Sequence, residues 1–144
     1  MSDDHNWSWS RAQRIPSDTA AGRVLLEELL DELRRQDWEE KDVFGVHLAV
    51  EEALVNAIKH GNGMDPAKQV QIDCRFDDDG VRIVIEDEGP GFDVNSVPDP
   101  TAEENLDKPG GRGIMLMRSF MSHVEYNELG NQLVLEKRRD AATD

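Results

Sequence analysis

Alternation of apolar and polar residues over positions 70–76, with apolar residues recurring at 81, 83 and 85 after a turn, constrains this chain more than any other feature. Val70, Ile72, Cys74 and Phe76 share one parity, and Gln71, Asp73 and Arg75 share the other. Asp77-Asp78-Asp79-Gly80 supplies a turn, after which Val81, Ile83 and Ile85 run back with Arg82 and Val84 between them. Successive side chains on a strand point to opposite faces, so the pattern predicts a hairpin with one face buried. Ala21, Val24, Leu25, Leu29 and Leu33 keep helical spacing after a cap at Ser17 or Asp18 and predict a helix, through Arg35, that packs on something flat. A polar link, Gln36 to Lys41, separates it from a second helix marked by Val43, Val46, Val50, Ala53 or Leu54, Ala57 and Ile58, which Gly61 and Gly63 end as a left-handed cap would. Trp7 to Ile15 reads as a first strand stopped by Pro16. Val124 and Tyr126 with Leu133 and Leu135 read as a last hairpin.

At 144 residues the chain is expected to form one domain, residues 1–144. Its 16 Lys and Arg against 31 Asp and Glu give a formal charge of −15, which disfavours direct nucleic-acid binding or an anionic membrane and favours a basic protein partner. It has no apolar run of about 18 residues, and Met1-Ser-Asp-Asp-His-Asn-Trp7 lacks the order of a signal peptide, so a cytoplasmic location is expected. Cys74 cannot make an internal disulfide and falls on the buried parity. His5, His47, His60 and His123 form no zinc pattern, and no G-x-x-x-x-G-K-[ST] occurs.

Several segments interrupt these patterns with chemistry. Glu52 and Asn56 are four apart on the second helix, about 40° from one another around its axis. That spacing suits a hydrated divalent cation, and it equally suits a solvated helix flank. Asp87 shares the parity of Val81, Ile83 and Ile85, so it is aimed at the buried side. It is either the acceptor on the floor of a pocket opened by Gly89-Pro90-Gly91, or a partner for the turn that follows it. Glu86 and Glu88 face the other way, toward solvent. From Asp93 to Pro109 no period is sustained, which marks a disordered stretch or a functional lid. Gly110-Gly111-Arg112-Gly113 then opens an apolar helix from Ile114 to Phe120, as a phosphate cradle or a simple hinge. Lys59 and His60 answer the dipole of the second helix, or, for Lys59, lessen repulsion of a polyphosphate.

Taken in order, E-x-x-x-N…H-G-N, D-x-G-x-G and G-G-R-G before an apolar helix resemble the three boxes of the histidine-kinase-like ATPase superfamily, the Bergerat fold. The wording Glu52-Ala-Leu-Val-Asn56-Ala-Ile-Lys-His60-Gly61 and Gly111-Arg-Gly-Ile-Met-Leu-Met-Arg-Ser119 is similar to the bacterial anti-sigma-factor serine kinases. The resemblance covers about Trp7 to Arg138. It implies an α+β fold, a two-layer α/β sandwich whose mixed, mostly antiparallel sheet carries about three helices on one face.

The resemblance also implies ATP and Mg²⁺. Asn56 would be the metal ligand, and Glu52 the base toward a protein serine hydroxyl, with Glu51, about 100° away, the poorer candidate. Asp87 would accept the adenine amino hydrogen, with Gly89 and Gly91 shaping the base pocket, and Lys59 and His60 would be among the residues that bind the nucleotide. Gly111 and Gly113, followed by Ile114, would bring backbone amides to the phosphates beneath a lid over residues 93–109. Lys108 and Arg112 are further phosphate contacts, although Pro109 stands where some relatives carry a basic residue. The implied partners are a sigma factor, an anti-anti-sigma antagonist as phosphoacceptor, and a second copy of the chain met through Trp7 and Trp9. Two other readings are a nucleotide-gated binding module without transfer, and a sensor histidine kinase's catalytic domain, which the lack of phosphoacceptor helices disfavours.

Overall fold

The register of the predicted hairpin is the backbone of the architecture. In the computed structural model, which describes residues 9–77, 79–90 and 111–139, β2 (Gln69–Phe76) pairs with β3 (Gly80–Glu86) so that Ile72 faces Ile85 and Cys74 faces Ile83. The Asp77 carboxylate holds the turn by accepting from the backbone N–H of Asp79 and Gly80, both at 2.7 Å. β1 (Trp9–Pro16) lies against β2, with Ile15 opposite Val70. β5 (Gln132–Arg138) lies against the other side of β3, and β4 (His123–Tyr126) closes the edge, giving the order β1-β2-β3-β5-β4. The sheet expected as mixed is antiparallel at each of these four pairings.

Three helices supply the covering layer among the described residues: α1 (Thr19–Arg35), α2 (Glu40–Val55) and α3 (Gly111–Phe120). Asp18 caps α1 by accepting from the Ala20 N–H at 2.9 Å. Leu25, Leu26, Leu29, Leu30 and Leu33 of α1, Val43, Val46, Val50 and Leu54 of α2, and Met117 of α3 are buried in one core with the inward strand residues. Small residues set the helix crossings. A Cβ on Gly22 would come within 3.2 Å of Ile58, and one on Gly45 within 3.3 Å of Phe120.

Two local expectations are corrected. Val24 is 57% exposed, because the buried stripe of α1 runs through the 25/29 and 26/30/33 rows and leaves position 24 outside it. The link after α1 is not wholly polar, since Trp38 is buried. Asp37, at φ 62°, takes the left-handed position after the helix, so the Trp38 N–H returns to the Leu33 carbonyl at 3.1 Å and the indole drops onto the core. Trp9 stacks on Phe76 with ring centroids 4.8 Å apart and is partly buried against the core. The Cys74 thiol is buried, and burial pushes its pKa up to about 12, in keeping with packing alone. No described helix is long and apolar enough to cross a membrane.

Candidate functional site

The end of α2 carries the first group of functional side chains. The Asn56 N–H donates to the carbonyls of Glu52 and Ala53, so helical spacing persists to this residue and Glu52 and Asn56 share one side of the helix end, both half-buried. From Asn56 to Gly61 the chain then widens into a π-helical turn, seen in the Asn62 N–H reaching back to Ala57 O at 2.9 Å. Gly61 is therefore part of the helix and not a left-handed cap. The positive φ angles fall on Gly63 and Met64, at 60° and 56°. Lys59 and His60 lie exposed on the last turn.

Gly61 is there because Asp87 leaves it no room. A Cβ on Gly61 would stand 2.7 Å from Asp87 Oδ1 and closer still to the carboxyl carbon, and a Cβ on Gly89 would stand 2.6 Å from the Gly61 carbonyl carbon. The Asp87 Oδ1 accepts from the Gly89 N–H at 2.8 Å, while among the described residues none donates to Oδ2. Both readings of Asp87 thus hold together: one oxygen bonds the following turn, and the carboxyl is still half-buried beside the helix end. Burial raises its pKa above the usual aspartate value and Glu86 adds to the rise, while the Gly89 N–H and the Lys68 charge oppose it.

Two residues of this site escaped the sequence reading. Asn62 is buried and ties three elements together. Its Nδ2 donates to Ser17 Oγ at 2.9 Å and to Gln69 O at 3.0 Å, and its Oδ1 accepts from the Glu88 N–H at 2.7 Å. The segment carrying Asp87 is thereby fastened to the π turn and to the start of β2. Glu88, expected only to meet solvent, accepts from the Gln69 N–H at 2.5 Å and joins the same fastening. The signal available was the third residue of H-G-N, a carboxamide following a helix-ending glycine.

Tyr126, the last residue of β4, is the second omission. Its parity with Val124 turns it toward the helices, and its half-buried ring packs against the core. Burial, the largest cause, pushes the pKa of the Tyr126 hydroxyl up to about 12; the Asn56 side chain and the Arg118 charge oppose the rise, and the charges of Glu52 and Asp87 add to it. The inward strand parity was visible in the sequence, but nothing there distinguished Tyr126 from ordinary core.

Gly111 begins α3, with Arg112, Gly113 and Ile114 in its first turn. Gly91, Lys108, the lid over 93–109 and Trp7 lie outside the described residues. Among the described residues no cluster of three His, Cys, Asp or Glu side chains could cage a metal ion. A site for Mg²⁺ does not require one, because this ion keeps several waters and is held by one or two protein oxygens together with substrate phosphates. Asn56, with a neutral carboxamide oxygen beside the Glu52 carboxylate, fits that donor set.

Residues 15–137 match the histidine kinase-like ATPase domain family, and the chain belongs to it. It is 31% identical over 104 residues to the anti-sigma F factor of Clostridium perfringens, covering 68% of this chain and 74% of that one. It is 35% identical over 83 residues to the protein of the same name in Oceanobacillus iheyensis, a match that spans only 56% of either chain. Against the serine-protein kinase RsbW of O. iheyensis it is 24% identical over 110 residues, covering 72% and 70% of the two chains. In fold it matches the crystal structure of the RsbU and RsbW domains of a Mycobacterium tuberculosis protein, with TM-score 0.59 and 15% identity over 90% of this chain and 32% of that one.

Proposed function

We propose that this protein is an ATP- and Mg²⁺-dependent anti-sigma factor that phosphorylates a serine of an anti-anti-sigma antagonist. It would act in the cytoplasm, hold a sigma factor when the antagonist is absent, and work as a homodimer. The single observation that carries this reading is the close packing of Gly61, at the end of the Glu52/Asn56 helix, on Asp87, whose Oδ1 would stand 2.7 Å from a Cβ at position 61. Residues from two boxes far apart in sequence therefore meet in one place.

Within that reading Asp87 accepts the adenine amino hydrogen, and the N–H groups opening α3 at Gly111 to Gly113 meet the phosphates. The Asn56 carboxamide oxygen would hold Mg²⁺, which when bound neutralises charge on the phosphate oxygens. Glu52 takes the proton of the serine hydroxyl as its oxygen bonds the γ-phosphorus. The bond from that phosphorus to the bridging oxygen breaks, and ADP leaves with the electron pair. The names of the relatives support the choice of serine as acceptor. Fold similarity alone supports only nucleotide binding.

The test is incubation with γ-labelled ATP, Mg²⁺ and a candidate antagonist, for wild type and Glu52→Gln. Acid-stable label on serine, reduced by about 10²–10⁴-fold in the variant, is expected of a positioned general base. Nucleotide binding with no label would leave a nucleotide-gated binding module. Acid-labile label would indicate transfer to histidine.

A further inference from the structure

Asp87 stands just past the ladders on both sides of β3. The pairing with β2 ends at Gln71 and Glu86, and the pairing with β5 at Glu86 and Gln132. Backbone beyond its last ladder pair opens easily unless something else holds it. Here side chains take over. The Glu88 N–H donates to Asn62 Oδ1 at 2.7 Å, the Asn62 Nδ2 donates to Gln69 O at 3.0 Å, and the Gln69 N–H donates to Glu88 Oε2 at 2.5 Å. These bonds close a ring that joins the end of the π turn, the start of β2 and the segment after β3.

Asn62 is the anchor of the ring. Gln69 and Glu88 are exposed, whereas Asn62 is 2% exposed. Its carboxamide has one possible orientation, because turning it end for end would set its NH₂ against the Glu88 N–H and its oxygen against the Gln69 carbonyl. The other Nδ2 hydrogen goes to Ser17 Oγ at 2.9 Å, and the buried Ser17 hydroxyl in turn donates to Lys68 O at 2.8 Å. A buried network satisfied in this way is rigid.

What the ring holds in place is the aim of Asp87. Oδ1 is committed to the Gly89 N–H at 2.8 Å, and the Gly61 backbone walls the carboxyl on one side. Oδ2 accepts from no donor among the described residues, so its direction is set by the backbone of residues 87–89. Adenine offers that oxygen an amino hydrogen. A 6-oxo purine offers a lone pair at the same place, which a carboxylate repels, so discrimination between the two bases depends on where Oδ2 points.

We propose that Asn62 is a specificity-determining positioning residue: through the Glu88 N–H it fixes the direction of the Asp87 carboxylate, and with it the preference for adenine over a 6-oxo purine. The inference rests on the reading of Asp87 as the acceptor of the adenine amino hydrogen.

The test compares the affinity of the full chain for ATP and for inosine triphosphate (ITP), both with Mg²⁺, by titration calorimetry of wild type, Asp87→Asn and Asn62→Ala. Thermal unfolding without nucleotide checks that each variant folds. Wild type is expected to bind ATP at least about tenfold more tightly than ITP, and Asn62→Ala to lower that ratio about tenfold, the worth of one charge-assisted hydrogen bond. The loss should fall on ATP, with ITP affinity within about twofold of wild type. Equal weakening of both nucleotides in Asn62→Ala would be a general loss of structure and overturns the proposal. If Asp87→Asn loses the preference while Asn62→Ala keeps it, the positioning role is overturned and the adenine reading stands. If wild type and Asp87→Asn discriminate equally, the adenine reading falls and takes the inference with it. Hydrogen exchange in wild type gives a reading that does not depend on Asn62→Ala folding. Coupling is reciprocal, so saturating ATP should slow exchange at the Glu88 N–H about tenfold more than saturating ITP does, and equal slowing overturns the proposal.

Discussion

The backbone of Gly61 and the carboxyl of Asp87 occupy one close-packed contact, in which a side chain at position 61 would fall 2.7 Å from Asp87 Oδ1. The end of the π turn and the end of β3 thus fix one another. Gly61→Ala is expected to displace Asp87, costing about 1–3 kcal/mol of stability, as overpacking does, and to weaken ATP binding at least tenfold. Urea unfolding and nucleotide titration measure the two effects. A variant with wild-type affinity would show that the position of Asp87 is not set from position 61.

Asp87 itself sets function against stability. Burial raises its pKa, so the folded chain binds the proton more tightly than the unfolded chain. Stability therefore falls as pH rises from the ordinary aspartate value through the raised one, and above that the ionised carboxylate destabilises the fold. Asp87→Asn removes the charge and keeps the shape. At pH 7 its nucleotide-free form is expected to melt no lower than wild type, while ATP binds about 1–3 kcal/mol more weakly through loss of a charge-assisted hydrogen bond. Because the acceptor must be ionised, wild-type binding should weaken on acidification at a higher pH than an ordinary aspartate would give. Unchanged ATP affinity in the variant would refute the adenine assignment.

The hairpin parity, the two long helices and the aim of Asp87 were legible because each rests on local periodicity, 2 for strands and 3.6 for helices. The π turn was not, since a change of helical period within six residues is hidden inside an apolar pattern that still looks regular. Tyr126 and Asn62 were missed for a different reason. Each is set among residues elsewhere in the sequence: Asn56, Glu52 and Asp87 act on the Tyr126 hydroxyl, and Asn62 bonds Ser17, Gln69 and Glu88. Only the folded register brings those partners together. Glu52 and Asn56 were found early because their pairing lies within one helix.

Asn62 offers a check on that long-range fastening. Its side chain makes three hydrogen bonds while buried, so Asn62→Ala leaves a hydroxyl, a carbonyl and an N–H without their partner. A loss of about 2–4 kcal/mol in urea unfolding is expected from stranding such groups. Hydrogen exchange should rise at the Glu88 N–H, which donates to Asn62 Oδ1, before it rises in the middle of β3. Unaltered protection at Glu88 would mean that the Asp87 segment is held by β3 and the Asn131 contact alone.

The opposite end of the sheet poses a separate question of charge. Asp42, in the first turn of α2, is 1% exposed, and its carboxylate oxygens accept no hydrogen bond among the described residues. Lys137 of β5 is its cationic neighbour, with Nζ 3.7 Å from Oδ1. The dipole at the start of α2 also favours a negative charge there, but a helix terminus contributes less than a buried counter-ion. Lys137→Met should therefore strand a buried carboxylate and cost about 3–5 kcal/mol, whereas Lys137→Met combined with Asp42→Leu should recover most of that loss, because replacing both charges removes both desolvation penalties. Urea midpoints of the two single variants and the double variant complete the cycle. A double variant no more stable than Lys137→Met alone would show that Asp42 is held by its helix end and not by the lysine.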